Sequence, residues 1–438
     1  MKYGYLPFGR LRPFLLLLAA AATNPAQALV IFSVNTLLDQ VDDNVLDNEC
    51  HTAQNTCSLR AAVMQANRYT GDNSVQIFVP AGTFVLNPPS GSDGETVGDL
   101  DLYQTTGNNP TVAILGAGSD DTIIDPDHHG RAFQIGAGRE VYLIKMTMRN
   151  GVNPGNGGDS GGAIYNDGFL TVAGCVLENN SALYGGAIYN AGRLNILEST
   201  LRFNHSSNFG GALATFSRAT LRWSTLNGNT AVGNGGGIFY NNLATATDYL
   251  ILVDSTLSGN TTPANGGGIY QFNGGTFLYS TTVVGNKANT GLSTYSGGGV
   301  FANAGNRFAL VNSILARNSA GFDTNNDCVG AFEAYGRNVV GDPTSPVCST
   351  TNAPLSVITP NTIGGLQNNG GPTQTHALLP GSQAINDALA SLGCVDENGQ
   401  ATGRDQRGYP RVAGPRCDLG AVEYGSFTSE FIFANGFQ

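Results

Sequence analysis

Gly185-Gly186-Ala187-Ile188-Tyr189-Asn190, followed by Ser199-Thr200-Leu201-Arg202-Phe203-Asn204, is one unit of a pattern that recurs through the middle of this 438-residue chain. The glycine doublet returns as Gly161-Gly162-Ala163-Ile164, Gly210-Gly211-Ala212-Leu213, Gly235-Gly236-Gly237-Ile238, Gly266-Gly267-Gly268-Ile269 and Gly297-Gly298-Gly299-Val300. The second half is a small residue, a branched apolar residue two positions on, and Asn three after that. It reads Cys175, Leu177, Asn180; Ser199, Leu201, Asn204; Ser224, Leu226, Asn229; Ser255, Leu257, Asn260; Thr281, Val283, Asn286; and Ser313, Leu315, Asn318. Successive asparagines are 24, 25, 31, 26 and 32 residues apart.

That period decides the architecture. It is short for a helical hairpin repeat and fits one coil of a β-solenoid. Stretches such as Leu170-Thr171-Val172 and Leu194-Asn195-Ile196 alternate, so one side chain in two points inward. A helical reading fails on the doublets, because each glycine costs about 1 kcal/mol in a helix interior. One coil cannot bury its own apolar row, whereas six coils stacked about 4.8 Å apart make a rod roughly 30 Å long.

Each position then has a physical task. Gly-Gly permits a turn with φ > 0 and close backbone approach. Cys175 falls on the Ser/Thr position and reads as a small buried residue, a reactive thiol being the alternative. The asparagine column predicts a buried ladder of side-chain amides; a flat ligand-binding array is the competing reading. Two units carry extra residues, Asn241 to Asp248 and Asn289 to Ser296, and such insertions often carry binding.

Composition agrees with short strands and tight turns. The chain has 60 glycines, about twice the usual share, and 12% charged residues, about half. At 41% hydrophobic it is no disordered polymer. A net charge of −11 without a Lys/Arg cluster beyond the leader argues against nucleic acid. The first 28 residues read as an export signal: Lys2, Arg10 and Arg12 in front, an apolar core from Phe14 to Ala22, and Ala26-Gln27-Ala28 as a small-x-small cleavage site. A retained anchor is the alternative, but that apolar run is short for a span, and no later stretch reaches about 18 apolar residues. Export places seven cysteines in an oxidising compartment. Spacing suggests the pairs Cys50–Cys57, Cys328–Cys348 and Cys394–Cys417 with Cys175 left over, although connectivity stays open at this level.

Ahead of the repeats, Cys57-Ser58-Leu59-Arg60-Ala61-Ala62-Val63-Met64-Gln65-Ala66-Asn67 has the spacing of a short amphipathic helix. Val75 to Leu86 reads as two strands around a Pro/Gly turn. A helix over the first coil would cover an open core and edge. With the acidic run Asp39 to Asp47, this stretch resembles the CSLREA-type N-terminal domain of bacterial secreted β-helix proteins, departing from it at Ala61, where that family has Glu. The repeats resemble those of polymorphic outer membrane proteins. The tail, with Asn368-Asn369-Gly370-Gly371-Pro372-Thr373, Asp405-Gln406-Arg407-Gly408 and Cys417-Asp418-Leu419-Gly420, is similar to a choice-of-anchor domain. These resemblances imply an extracellular or envelope protein and assign no chemistry.

An enzyme is the competing reading. A lyase of this shape needs a basic residue beside carboxylates that hold calcium, and an inverting hydrolase needs paired carboxylates. No ionisable position recurs through the six units. Glu178 with Arg202, and Glu198 with Arg222, fall opposite each other on adjacent coils and predict structural ion pairs. Asp120, Asp121 and Asp125 read as turn residues, with an Asp/His metal site at His128-His129 as the alternative. His51 and His376 fall in loops, His205 in an exposed turn, and Asp418 with Glu423 ties the tail together.

These readings predict an all-β chain, a right-handed parallel β-helix (solenoid) with a short N-terminal helical cap and a disulfide-stapled C-terminal region. The expected divisions are signal peptide 1–28, N-terminal cap 29–110, β-helix repeats 111–320 and C-terminal anchor-like region 321–438. The expected function is surface binding or adhesion by a secreted or outer-envelope bacterial protein, with no catalytic residue, no cofactor and no metal. Its partner would be an extracellular glycan or an envelope component, not nucleic acid, with no transmembrane segment after signal removal. The site residues are structural: Asn180, Asn204, Asn229, Asn260, Asn286 and Asn318, with Cys50, Cys57, Cys328, Cys348, Cys394 and Cys417. The competing function is a polysaccharide lyase or glycoside hydrolase acting on acidic glycans beside the insertions.

Overall fold

A computed structural model describes residues 29–69, 71, 74–87, 96–103, 109–153, 160–242, 248–288, 296–321, 326–341 and 348–426. Residues 1–28, expected to be an export signal, and the aromatic segment 431–437 lie outside them. Each coil passes through four strands. In the coil that begins at Gly161 these are Ile164–Asn166, Phe169–Ala173, Val176–Glu178 and Ser181–Tyr184. Each pairs in parallel with its equivalent one coil later: Ile164 with Ile188, Leu170 with Leu194, Leu177 with Leu201, Ser181 with His205. The first two rows join into a 20-stranded sheet through the long strand Cys328–Tyr335. The third row is an 11-stranded sheet and the fourth a 7-stranded one. The fold is a right-handed parallel β-helix, the hand that parallel crossovers favour. Parallel pairing begins with Val30 opposite Val75 and ends with Val340 opposite Val357, so the winding continues on both sides of residues 111–320.

Alternation fills the interior. Val172, Ile196, Leu221, Leu252, Leu278 and Leu310 make one fully buried column, and Leu177, Leu201, Leu226, Leu257, Val283 and Leu315 another. Stacking merges them into a single core.

Three corners per coil use left-handed backbone. One is the glycine doublet: Gly185 has φ +62°, and a Cβ on Gly186 would overlap the carbonyl oxygen of Gly211 on the next coil. The other two are mostly not glycine. After the second row come Gly174, Glu198, Trp223, Asp254, Ser280 and Asn312, with φ between +44° and +61°. After the third come Asn179, Phe203, Gly228, Gly259, Gly285 and Arg317, between +55° and +72°. Side chains there cost roughly 1–2 kcal/mol each, so the coil geometry overrides residue preference.

The asparagine column lies just past the third-row corner. Asn204 accepts from the backbone N–H and side-chain amide of Asn180, both at 3.0 Å, and donates to Asn229 Oδ1 at 2.9 Å and to the Leu177 carbonyl at 3.0 Å. The same set repeats through Asn229, Asn260, Asn286 and Asn318. It ends on Asp327, whose carboxylate accepts from Asn318 at 2.8 and 2.9 Å and from Gly341 N at 2.7 Å. An acidic residue suits the last rung, which accepts three bonds there.

The helix, α1 (Leu59–Arg68), is N-capped by Ser58 and lies against Val75–Val79 and Leu100–Leu102 of the first coils. Its Arg60 forms a buried ion pair with Asp39 at 2.7 Å. Cys50–Cys57, Cys328–Cys348 and Cys394–Cys417 are disulfides, and Cys175 is a buried free thiol pushed up to about 12 by that burial. Beyond Val357 the chain turns back and lies along the outer face of the 11-stranded sheet. There Ile363, Leu378, Ala384 and Leu419 pack on Val284, Ile314, Ala316 and Val339. Thr225, Thr256 and Thr282 on three successive coils bond to Gln374, Gln406 and Ala421. The C-terminal region is therefore a lateral brace.

Replacing Asn229 by Ala removes four hydrogen bonds at a position with no solvent access. We expect a loss of about 2–4 kcal/mol in guanidinium unfolding, against less than 0.5 kcal/mol for the exposed Thr230→Ala. Equal midpoints for the two variants would refute the ladder's contribution.

Candidate binding face

The outward position of the first row is the middle residue of each Ile-Tyr-Asn strand. Parallel register stacks Tyr165, Tyr189, Ala214, Phe239, Tyr270 and Phe301 on six successive coils. At Ala214 the column is completed from the side by Phe216, whose ring lies 5.2 Å from Tyr189 and 5.9 Å from Phe239. The remaining steps are 5.3 Å from Tyr165 to Tyr189, 5.7 Å from Phe239 to Tyr270 and 5.2 Å from Tyr270 to Phe301. Rings at 9–21° to their neighbours over these distances are offset, like shingles. Tyr184 and Phe209 widen the stripe along the doublet corner, and Phe272, 41% exposed, along the other border.

Phe239 and Tyr270 in the middle are buried by their neighbours, while Tyr165, Tyr189, Phe216 and Phe301 are half-exposed. Burial raises the phenols of Tyr165, Tyr189 and Tyr270, so they stay protonated at ordinary pH. Arg131 stacks over Tyr165 with its guanidinium 5.5 Å from the ring centre and is held by Asp99 at 2.6 Å. The corner column beside the rings runs Tyr184, Phe209, Asn234, Asn265, Ser296, and the opposite border holds Asn241, Asn273 and Asn303. Sequence reading missed this face. Its signal was the aromatic residue after each doublet's branched residue, masked at Ala214 because Phe216 does the work two positions on. The insertions lie mainly outside the described residues, at 243–247 and 289–295. The base of the first is tied by Tyr240 Oη donating to the Asp248 carbonyl at 2.7 Å.

The ionisable candidates are occupied elsewhere. Glu178 and Arg202 pair across coils at 2.6 Å. The reading of Glu198 with Arg222 is corrected: Glu198 pairs with Arg404 at 2.8 Å, and Arg222 with Glu397. Both reach the brace, which no repeat alignment could place. Asp125 holds Arg149 and Asn150 at 2.9 Å, and His128 is exposed. Among the described residues no His, Cys, Asp and Glu group is arranged to hold a metal ion. His51 lies between Asp43 and Asp47 at 2.5 and 3.0 Å. His205 is in a strand rather than a turn, bonded to Thr230 at 2.9 Å. His376 is likewise not in a loop. It sits in the strand Thr375–Leu378, buried between the Gly364 carbonyl at 2.8 Å and Ser258 Oγ at 2.9 Å. Asp254 and Arg411 form a wholly enclosed pair at 3.0 Å, and Asp418 accepts from the backbone of Asn386. The six asparagines lie in corners away from the aromatic stripe, and of the disulfides Cys328–Cys348 alone touches its row, with Cys328 buried one coil past Val300.

Residues 254–271 match the Chlamydia polymorphic membrane protein (Chlamydia_PMP) repeat. That span runs from the left-handed Asp254 through Asn260 and the doublet to Tyr270 and Gln271, about two thirds of a coil. No curated protein matches the chain. No helix among the described residues is long and apolar enough to cross a membrane.

Burial lowers His376 to about 4, so its neutral ring contributes stability that is complete above the ordinary value of 6.5 and is lost as pH falls towards 4. Burial raises Asp254 to about 7 and Asp418 to about 6, which acts in the opposite sense, losing stability as pH rises. A His376→Gln variant isolates the ring from both carboxylates. The advantage of the native chain over it should shrink by about 3 kcal/mol between pH 6.5 and 4. A difference that stays flat with pH contradicts a neutral buried imidazole.

Proposed function

We infer that this chain is an exported, envelope-associated β-helix that binds a surface partner along its aromatic face and carries out no chemistry there. The observation that carries the reading is the column of rings on five of six successive coils, completed at Ala214 by Phe216 and half-buried at Tyr165, Tyr189, Phe216 and Phe301, with no partner for the hydroxyls of Tyr165, Tyr184, Tyr189 and Tyr270 among the described residues. A solenoid can fill outward positions with any polar residue, and a contiguous aromatic patch on such a surface marks an interaction site. The polar flanks match sites in which a few placed groups orient a ligand on an apolar floor.

Export by residues 1–28, a CSLREA-type cap over residues 29–110 and an anchor-like role for the region after 320 belong to the same proposal. The likeness of residues 254–271 to a polymorphic membrane protein repeat supports a place at the bacterial surface. A binding role is favoured over a lyase or glycosidase because Glu178, Glu198, Arg202 and Arg222 are committed to ion pairs, the first and third with each other across adjacent coils and the other two with the brace. A catalytic base or acid needs a free proton-transfer position.

The test uses purified mature chain and isolated bacterial envelopes. Sedimentation of the chain with envelopes should saturate and weaken at least tenfold in Tyr165→Ala/Tyr189→Ala, with the thermal midpoint within a few degrees of native. Incubation with uronate polysaccharides, with and without calcium, should release neither unsaturated products nor new reducing ends. Undiminished sedimentation of the double variant, or turnover of any polysaccharide, overturns the reading.

A further inference from the structure

We propose that the aromatic face takes an extended, uncharged glycan lying along the rod axis, about one sugar to each coil. This rests on the binding role argued above and adds the class of ligand. Neighbouring rings lie 5.2–5.9 Å apart centre to centre on coils stacked about 4.8 Å apart, so the column repeats at close to the length of one sugar in an extended chain. A regular polymer can therefore make the same contact on coil after coil. A protein partner would instead look for a few deep pockets around which hot spots cluster, and this face is shallow and repetitive.

The chemistry on offer is that of a sugar. Tilted rings leave part of each face open to the C–H side of a pyranose. The phenols of Tyr165, Tyr184, Tyr189 and Tyr270 each donate and accept, and burial keeps three of them protonated. The borders supply amides from Asn234, Asn265 and Asn303, again donors and acceptors together. A lipid surface would leave these groups unpaired.

Charge argues against an acidic polymer. Arg131 is closed by Asp99. At the second-row border Arg193, Arg218 and Arg307 stand on three of the six coils at no regular repeat; Arg193 is drawn over Phe169 at 5.4 Å, and Arg307 lies over Phe277 at 4.9 Å and pairs with Glu333 at 2.8 Å. Asp167 adds a negative charge near Tyr165 and Tyr189, and the whole chain carries −11. A polyanion would need cations at a matching repeat to replace its counterions.

Calorimetry of the mature chain with hexamers distinguishes the cases: cellohexaose and fully N-acetylated chitohexaose as uncharged probes, hexagalacturonate and a heparin hexamer as acidic ones. An uncharged hexamer should bind at least tenfold more tightly than the acidic probes and than its own disaccharide. Tyr165→Phe/Tyr189→Phe/Tyr270→Phe, which keeps every ring, should weaken it about tenfold, and Tyr165→Ala/Tyr189→Ala should abolish it. Tighter binding of an acidic hexamer, still lost in the alanine variant, overturns the ligand class and leaves the binding face in place. No hexamer bound while envelopes are still captured through the rings also overturns it, in favour of a protein partner. Binding indifferent to every ring variant removes both readings together.

Discussion

The buried corner after the third row is the constraint on which the structure depends. There the backbone changes direction inside the core, where unpaired N–H and C=O groups cost about 1–3 kcal/mol each. Asparagine meets the need because its amide both donates and accepts. Asn204 satisfies the Asn180 N–H and the Leu177 carbonyl at once, and passes one bond to Asn229. Each rung needs the next, so the corner fixes both the register and the axial rise of the coils. Ser199, Ser224, Ser255 and Ser313 do the same at the preceding corner, their hydroxyls accepting from the backbone N–H one coil earlier.

Once corners and inward columns are fixed, every outward position becomes a column whose content is free. That freedom is spent differently on each face. On the 11-stranded sheet one outward column, Thr200, Thr225, Thr256 and Thr282, is small and hydroxylated, giving way to Val284, Ile314 and Ala316 where the brace brings its own apolar core. On the 7-stranded sheet His205, Thr230 and Lys287 stay in water. The first row carries rings.

What could be read from sequence follows the same division. The doublets, the Leu/Val column and the asparagines recur because the core dictates them, so coil, period and parallel stacking were legible from residues 161–318. The non-glycine left-handed corners were not. Trp223, Asp254 and Ser280, like Gly174 at the same corner, share a conformation and no side-chain chemistry, so no pattern marks them. The ring column was half visible, since Tyr165 and Tyr189 stood in the quoted motif, but Ala214 broke it and only three-dimensional proximity shows Phe216 repairing it. Long-range partners were out of reach altogether. Glu198 and Arg222 look like a pair in any alignment of coils, yet Arg404 and Glu397, about two hundred residues on, take them instead.

The brace explains why the open face is where it is. A solenoid is coupled only between neighbouring coils, so it can open locally anywhere along its length. By touching coils from Glu198 to Val339, the brace links turns that share no other contact, and it must cover one side of the rod to do so. Its sockets are the left-handed corner residues themselves: Glu198 to Arg404, Trp223 beneath Arg404 at 3.9 Å, Asp254 to Arg411, Asn312 to the Gly393 carbonyl. Those residues are presented outward by the same strained backbone that turns the coil. Longitudinal order and lateral support thus use the third row and its adjoining corners, and the first row, on a different side of each coil, is left to meet a ligand.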